Sequence, residues 1–256
     1  MSSDRDHFTL LQEDSLHHEG GATLNRRSAI RTVGGVGAQV ILGGCGGKDN
    51  PPNTSEDESA VESILDSPTT QRCVLTPAQV EGPFYLALKG SRTQMAVDQD
   101  GIPLEINLSV VDQTCQPIEG ARVEVWHADA RGIYSGFSEQ VVDTTSQDFL
   151  RGDMISDVRG QVYFRSIYPG WYPGRAVHVH FKVSVHNAVR ITSQFYFPDQ
   201  ISRAVYQHPI YRPRGAQDTS LDRDQFLQSV DQIQSNLIAS VTPERSGYLA
   251  QMRITI

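Results

Sequence analysis

The stretch RAVHVHFKVSV, residues 175–185, has an apolar side chain at every second position. Those side chains are four valines and Phe181, and the positions between them carry histidine, lysine and serine. Because side chains alternate between the two faces of a β-strand, this pattern predicts a strand with its apolar face in a core. His178 and His180 then project together from the opposite face, with Cα atoms about 6.5–7 Å apart.

The same alternation recurs along the chain and predicts several more short strands. The segments that carry it are 102–112, 121–129, 160–167, 190–197 and 248–256. Turn-forming Asp, Gly and Pro residues separate them, which is typical of an antiparallel β-sandwich. We therefore predict an all-β fold with long loops and at most one or two short helices, the candidate helix being the weakly amphipathic stretch 222–237.

Two histidines at positions i and i+2 of a strand have two interpretations. They are commonly exposed or hydrogen-bonded side chains, but here Tyr172 and Arg175 lie just upstream, and Tyr134 lies in a second glycine-flanked loop. Histidine nitrogen and phenolate oxygen suit ferric iron, because a trivalent cation stabilises a phenolate whose phenol has a pKa of about 10 in water. Zinc sites instead prefer Cys, His and carboxylate ligands.

These residues lie in segments that resemble the intradiol ring-cleavage dioxygenases. The matching segments follow the family order: LTPAQVEGPFY (75–85), ARVEVWHADARGIYSG (121–136), DFLRGDMISDVRGQVYFRSIYPGWYPGRAVHVHFKV (148–183) and SQFYF (193–197). The resemblance implies a non-haem Fe(III) enzyme that uses O2 to cleave a catechol between its two hydroxyl-bearing carbons, giving a muconate-type diacid. The sequence is most similar to the exported, single-domain branch, which lacks the helical dimerisation arm of the catechol dioxygenases.

The resemblance also implies four iron ligands. Tyr134 and His178 match the equatorial ligands, and Tyr172 and His180 match the axial ligands. Tyr172 is the position whose tyrosinate leaves the metal when substrate binds, so it is a catalytic residue as well as a ligand.

Two further positions have implied roles, and two features depart from the family pattern. Arg175 matches the arginine beside the substrate ring, and Gln194 matches a glutamine near the same site. The usual Arg-Pro-Ala before the first histidine is replaced by Arg-Ala-Val at 175–177, and the loop between Tyr172 and His178 is shorter than in the well-known dioxygenases. The short loop bears on the pocket wall, and so on which catechol is the substrate.

Other residues in these segments have weaker claims to a functional role. Tyr168 is a rival to Tyr172 as a ligand, although packing is its more ordinary role. His127 has either a hydrogen-bonding role near the site or a structural one, and His208 is expected to be structural. The segment VEGPFY (80–85) either edges the site or covers the end of the sandwich.

Two rival functions come from other classes. One is a non-catalytic β-sandwich binding module on a lipid tether, with a surface polymer as an example of what it would recognise. The loss of any one ligand would favour this interpretation, but all four family ligands are present. The other is a zinc hydrolase, for which a third histidine or a well-placed carboxylate is missing from the pattern. The net charge of −8 argues against a general binder of nucleic-acid phosphates.

The first part of the chain has the features of an export signal. Arg26 and Arg27 precede a glycine-rich, mildly apolar run that is too short to span a membrane. The pair resembles a twin-arginine signal, and LGGC, ending at Cys45, resembles the lipobox of a bacterial lipoprotein. We therefore expect residues 1–45 to direct export, with a lipid anchor on Cys45; the alternative is a disordered leader with chance arginines.

The rest of the chain divides into a tether and a folded domain. Residues 46–72 are polar, acidic and poor in aromatics, which indicates a flexible linker. Residues 73–256 form the predicted dioxygenase-like domain. Cys73 and Cys115 are left as an even pair in an exported domain, so we predict a disulfide between them, the alternative being two buried thiols.

Overall fold

The computed structural model describes residues 72–88, 90–230 and 236–256. The predicted export signal, and the predicted linker except Arg72, lie outside these residues, so both stay predictions. Within the described residues, no helix has the length and apolar character that crossing a membrane requires.

Strands dominate the described chain. They are β1 (Pro103–Val111), β2 (Arg122–Trp126), β3 (Arg151–Ile155), β4 (Gln161–Ile167), β5 (His178–Val185), β6 (Ala188–Tyr196), β7 (Ser240–Pro243) and β8 (Tyr248–Thr255). Two short helices, α1 (Asp199–Val205) and α2 (Gln225–Gln228), and two 3₁₀ turns (Arg212–Arg214 and Leu221–Arg223) lie between β6 and β7. The predicted class, all-β with one or two short helices, is confirmed.

The strands form two four-stranded sheets, in the orders β4-β1-β8-β7 and β3-β2-β5-β6. Neighbouring strands are antiparallel except β1 and β8, which run parallel. The prediction of a purely antiparallel sandwich is therefore wrong for this pair. Alternation identifies a strand and its buried face but carries no information about its direction, and the long path from β1 to β8 permits a parallel pairing.

The core lies between the two sheets, on the faces that alternation predicts. From β5, Val179, Phe181 and Val183 are fully buried, and from β1, Ile106 and Val110 are fully buried. Each such side chain contributes about 1.5–3 kcal/mol when removed from water. The outer face of β5, which carries the histidines, is covered by loops instead of by a sheet.

Four elements differ from the sequence prediction. The predicted helix 222–237 is broken within its described part into the turn Leu221–Arg223 and the single-turn α2. Helix α1 and the short strands β3 and β7 were not predicted. Strand β3 reads RGDMI, has no apolar alternation and is buried mainly at its polar end, so its pairing with β2 has no signal in its own sequence.

A disulfide joins Cys73 to Cys115, with Cα atoms 5.2 Å apart, which confirms the predicted pairing. It fixes the start of the described chain to the turn after β1, where the Cys73 N–H also donates to the Gln113 carbonyl at 3.0 Å. From there the chain continues across the histidine-bearing sheet, and the Gln79 N–H donates to the Thr192 carbonyl of β6 at 3.0 Å.

We predict that the double variant Cys73→Ser/Cys115→Ser has a free energy of unfolding lower by about 2–4 kcal/mol, because the bond restricts the unfolded chain. The cross-link closes a loop with a sequence separation of 42. Urea unfolding measures the change. A reducing agent should destabilise the wild type to a similar extent and leave the double variant unaffected; equal stability of wild type and variant would contradict a structural role for the bond.

Candidate metal centre

Strand β5 brings two imidazoles to one point on the outer face of its sheet. The Nε2 atoms of His178 and His180 lie 3.2 Å apart, and both side chains are buried, with 3% and 2% exposure. The hydroxyl of Tyr172 lies 3.0 Å from His178 Nε2. The short loop between Tyr172 and His178 therefore does not prevent the two side chains from meeting.

Tyr134 reaches the same point from the loop after β2. Its ring meets those of Tyr172 and His180 edge-on, at centroid distances of 5.8 and 6.0 Å. Its hydroxyl is buried and has no hydrogen-bond partner within the described chain. The Gln140 side chain bonds both the N–H and the C=O of Tyr134 at 2.7 Å, so the unpartnered hydroxyl belongs to a firmly held residue.

The surroundings of the two histidines orient their Nε2 atoms towards this point. His178 Nδ1 lies 2.6 Å from the carbonyl of Ala176, which can only accept, so Nδ1 carries the proton and Nε2 presents a lone pair. The ring of His180 stacks on Trp126 with centroids 5.0 Å apart and planes 8° apart. A hydrogen bond thus fixes the ring of His178, and ring stacking fixes that of His180, whose Nδ1 has no hydrogen-bond partner within the described chain.

The donor set is two imidazole nitrogens and two phenol oxygens. Among the residues that the structure describes, no group of three or more His, Cys, Asp or Glu side chains could hold a metal ion. Any metal at this point therefore depends on Tyr134 and Tyr172 for its negative ligands. A hard, highly charged cation suits phenolate oxygen, and it would also partner the unbonded Tyr134 hydroxyl.

Burial keeps all four donors neutral when no cation is bound. It raises the pKa of Tyr134 well above its ordinary value. Burial also raises the pKa of Tyr172, although the positive charge of Arg175 opposes this. Burial lowers the pKa of His178 to about 3 and that of His180 well below its ordinary value. A cation would thus meet lone pairs on neutral imidazoles and would displace protons from the phenols.

Arg175 lies beside this cluster and is held from several sides. Its Nε donates to Asp224 Oδ2 at 2.9 Å, and its Nη2 donates to Gln194 Oε1 at 2.5 Å and to the Tyr196 hydroxyl at 3.1 Å. The guanidinium also lies over the ring of Phe226, 4.4 Å from the centroid. The structure thus brings the predicted Arg175 and Gln194 together, with Gln194 supporting Arg175.

The segment VEGPFY (80–85) forms part of the wall of the site. Gly82 has φ 73°, and a Cβ at this position would lie 3.3 Å from His180 Cε1. Phe84 stacks on Tyr134 with centroids 4.6 Å apart. The sequence left two roles open for this segment, and the structure shows that it edges the site.

Three residues with weaker claims to a functional role lie apart from the cluster. Tyr168 is fully buried, and its hydroxyl bonds Ser202 at 2.8 Å, so it packs in the fold and is not a rival ligand. His127 is buried and bonds Ser166 Oγ at 2.6 Å through Nε2, which is a structural role. His208 is exposed.

Sequence reasoning missed several supporting residues. Gln140, Trp126 and Tyr196 have no local signal that would reveal their role. Asp224 had one: an aspartate directly before QFLQ is typical of a helix N-cap, and the structure shows its side chain accepting from the N–H groups of Phe226 and Leu227.

Comparisons with known proteins show which family the chain resembles. Residues 80–242 match the family Dioxygenase_C, described as dioxygenase. Catechol 1,2-dioxygenase 1 of Acinetobacter lwoffii is 33% identical over 144 residues, which cover 47% of this chain and 45% of that protein. Chlorocatechol 1,2-dioxygenase of Rhodococcus opacus is 27% identical over 161 residues, 53% of this chain and 62% of that protein.

Structural similarity covers more of the domain. An intradiol ring-cleavage dioxygenase from Tetranychus urticae superposes with a TM-score of 0.67 at 28% identity, covering 72% of this chain and 95% of that one. By contrast, the chain spans about half the length of the curated relatives that it matches.

We predict that the metal-free protein loses stability as the pH falls from about 7 to about 5, because buried histidines have pKa values below the unfolded value of about 6.5. Burial lowers the pKa of His127 to about 4 and that of His178 to about 3, and it lowers the pKa of His180 well below its ordinary value. Below about pH 6.5 the unfolded chain binds protons that the native state does not, so each histidine lowers the free energy of unfolding by up to about 1.4 kcal/mol per pH unit.

Urea unfolding in the presence of a chelator, repeated across this pH range, measures the loss. The variant His127→Asn should reduce the dependence on pH, since one buried neutral imidazole is removed. Stability that stays constant or rises as the pH falls would contradict burial of the neutral histidines.

Proposed function

Because the chain belongs to the intradiol ring-cleavage dioxygenase family, we propose that it cleaves a catechol-type diol with O2 between the two hydroxyl-bearing carbons. Both oxygen atoms of O2 enter the product, so a catechol plus O2 gives a muconate-type diacid with no further co-reactant. The observation that carries this proposal is the convergence of Tyr172, His178 and His180 on a point beside the unpartnered hydroxyl of Tyr134.

We propose that Tyr134, Tyr172, His178 and His180 hold a non-haem Fe(III) ion. The donor set supports this assignment, because two phenolates supply two negative charges and two neutral imidazoles supply nitrogen. When bound, Fe(III) withdraws electron density from a chelated catechol and makes its ring reactive towards O2.

Of the four proposed ligands, Tyr172 is the one suited to make room for substrate. It is partly exposed, whereas the other three side chains are at most 3% exposed. A catechol hydroxyl that binds as an oxyanion must lose its proton. The Tyr172 phenolate oxygen can accept this proton as general base, and the neutral phenol then remains at the edge of the site.

Arg175 supplies fixed positive charge next to the reacting ring. The guanidinium is planar and is anchored through Nε and Nη2, so its charge stays in place while negative charge develops on the substrate oxygens. Gln194 acts through Arg175: it accepts from Nη2, and its own Nε2 donates to the Val80 carbonyl at 2.9 Å. We therefore propose that Gln194 is a positioning residue, and that Arg175 touches the substrate.

The proposed ligand set predicts a coloured protein. Iron-loaded wild type should be red to purple through charge transfer from tyrosinate to Fe(III), and the band should shift when catechol is added without oxygen. Tyr134→Phe should weaken the visible absorption, because it removes one tyrosinate. Tyr168→Phe is the matched control, since its hydroxyl bonds Ser202 away from the site, and should keep the colour.

A colourless protein after iron loading would contradict the dioxygenase proposal and would favour the non-catalytic binding module. Unchanged absorption in Tyr134→Phe would contradict the ligand assignment alone.

Oxygen uptake with a panel of catechols tests the reaction and identifies the substrate. Plain catechol, hydroxyquinol, protocatechuate and a catechol attached to a larger aromatic group cover the expected range. For the best substrate, Arg175→Gln should lower kcat/KM by about 100-fold or more, because a charge aimed at the developing negative oxygens is lost. Undiminished kcat/KM in this variant would contradict the role of Arg175.

We also propose that the protein is exported by the twin-arginine route and anchored by lipid at Cys45, on the strength of the RR pair at 26–27 and the LGGC sequence. In a bacterial host, replacing both arginines by lysine should retain the protein in the cytoplasm. Cys45→Ala should leave export intact but move the protein from the membrane fraction to the soluble fraction. An unchanged distribution in both variants would contradict the proposal.

A further inference from the structure

Asp224 is a fully buried carboxylate at the start of α2. One of its oxygens, Oδ1, accepts from the N–H groups of Phe226 and Leu227, both at 3.0 Å, and so caps the helix. The other, Oδ2, accepts from Arg175 Nε at 2.9 Å and from the Ala176 N–H at 2.8 Å. Both oxygens are therefore fully engaged, one by the helix and one by the loop that leads into β5.

The contacts of Oδ2 lead to two parts of the candidate centre. The first is direct: Asp224 and Arg175 form an ion pair in which the arginine side chain is only 11% exposed. The second passes through the backbone of one residue, since the Ala176 N–H donates to Asp224 and the Ala176 carbonyl accepts from His178 Nδ1 at 2.6 Å. A single carboxylate thus holds both the guanidinium and the residue that orients His178.

The cap alone does not require an aspartate at this position. Serine or threonine caps a helix about as well, using one oxygen that accepts from the same backbone N–H groups. Only the second carboxylate oxygen, Oδ2, makes the two contacts to Arg175 and Ala176. A buried carboxylate is costly unless it is paired and hydrogen-bonded, and here these contacts supply the compensation.

We propose that Asp224 is a positioning residue for the ring-cleavage reaction, acting through Arg175 and through Ala176, whose carbonyl orients His178. This inference rests on the proposed function. Asp224 holds Nε while Gln194 and Tyr196 hold Nη2, so the guanidinium is clamped at two corners. Without Asp224 the arginine keeps its charge but loses the contact that fixes the direction of its side chain.

The test uses Asp224→Ser, which keeps a capping oxygen for α2 and removes the contacts to Arg175 and Ala176. We expect kcat/KM per bound iron to fall by about 10–100-fold, the usual effect of losing a residue that orients catalytic or metal-binding groups. Bound iron, anaerobic catechol binding followed by the visible absorption, and thermal unfolding are measured alongside. The loss should lie mainly in kcat.

A double-mutant cycle with Arg175→Gln separates positioning from general damage. If Asp224 acts largely through Arg175, the substitution to serine should cost no more than about 2–3-fold in the Arg175→Gln background, because coupled residues are not additive. The matched control is Asp153→Asn, which removes another buried carboxylate, one that lies on β3 and binds Arg122, and it should leave kcat/KM per iron near that of the wild type.

Two results would overturn the inference while leaving the proposed function intact. One is an equal loss in both Arg175 backgrounds with bound iron and the visible absorption unchanged, which would exclude action through Arg175 and through His178. The other is an Asp224→Ser protein that is merely less stable, with unchanged kcat and KM per bound iron; this second comparison holds even if the Arg175→Gln variant fails to fold. A wild-type protein that converts no catechol would instead overturn the proposed function, and the inference with it.

Discussion

The centre depends on keeping two imidazoles and the phenol of Tyr134 out of water and uncharged, with the partly exposed phenol of Tyr172 beside them. His178 and His180 are presented by the outer face of β5, where a sandwich normally meets solvent, so their burial must come from loops. Removing neutral polar groups from water without partners is unfavourable, and the hydroxyl of Tyr134 has no partner in the described chain. A bound cation would supply the Tyr134 oxygen with a partner and so remove this unfavourable contribution.

Different elements position the side chains of the centre. The two sheets pack a conventional core and fix the spacing of the β5 side chains. The segment that starts at the Cys73–Cys115 bond crosses the outer face and places Gly82 and Phe84 against the site. The loop after β2, clamped by Gln140, brings Tyr134 to the cluster, and the loop before β5 brings Tyr172.

Much of this arrangement could be predicted from local patterns. Alternation gave the strand at 175–185 and its buried face because side-chain direction has a period of two, a property of the backbone that needs no knowledge of the fold. The even cysteine pair indicated the disulfide. Strand direction could not be predicted in the same way, and the parallel pairing of β1 with β8 was missed for that reason.

The sequence by itself determined which donor atoms share a face and which family pattern they follow, since both are carried by residue type and short spacing. Only the tertiary structure decided which of these side chains are buried and which imidazole nitrogen of His178 carries the proton. It alone also showed that Asp224 accepts a hydrogen bond from Arg175, 49 positions away in the chain. Desolvation and hydrogen-bond orientation depend on atoms from distant segments, and a local sequence pattern contains no record of which segments will meet.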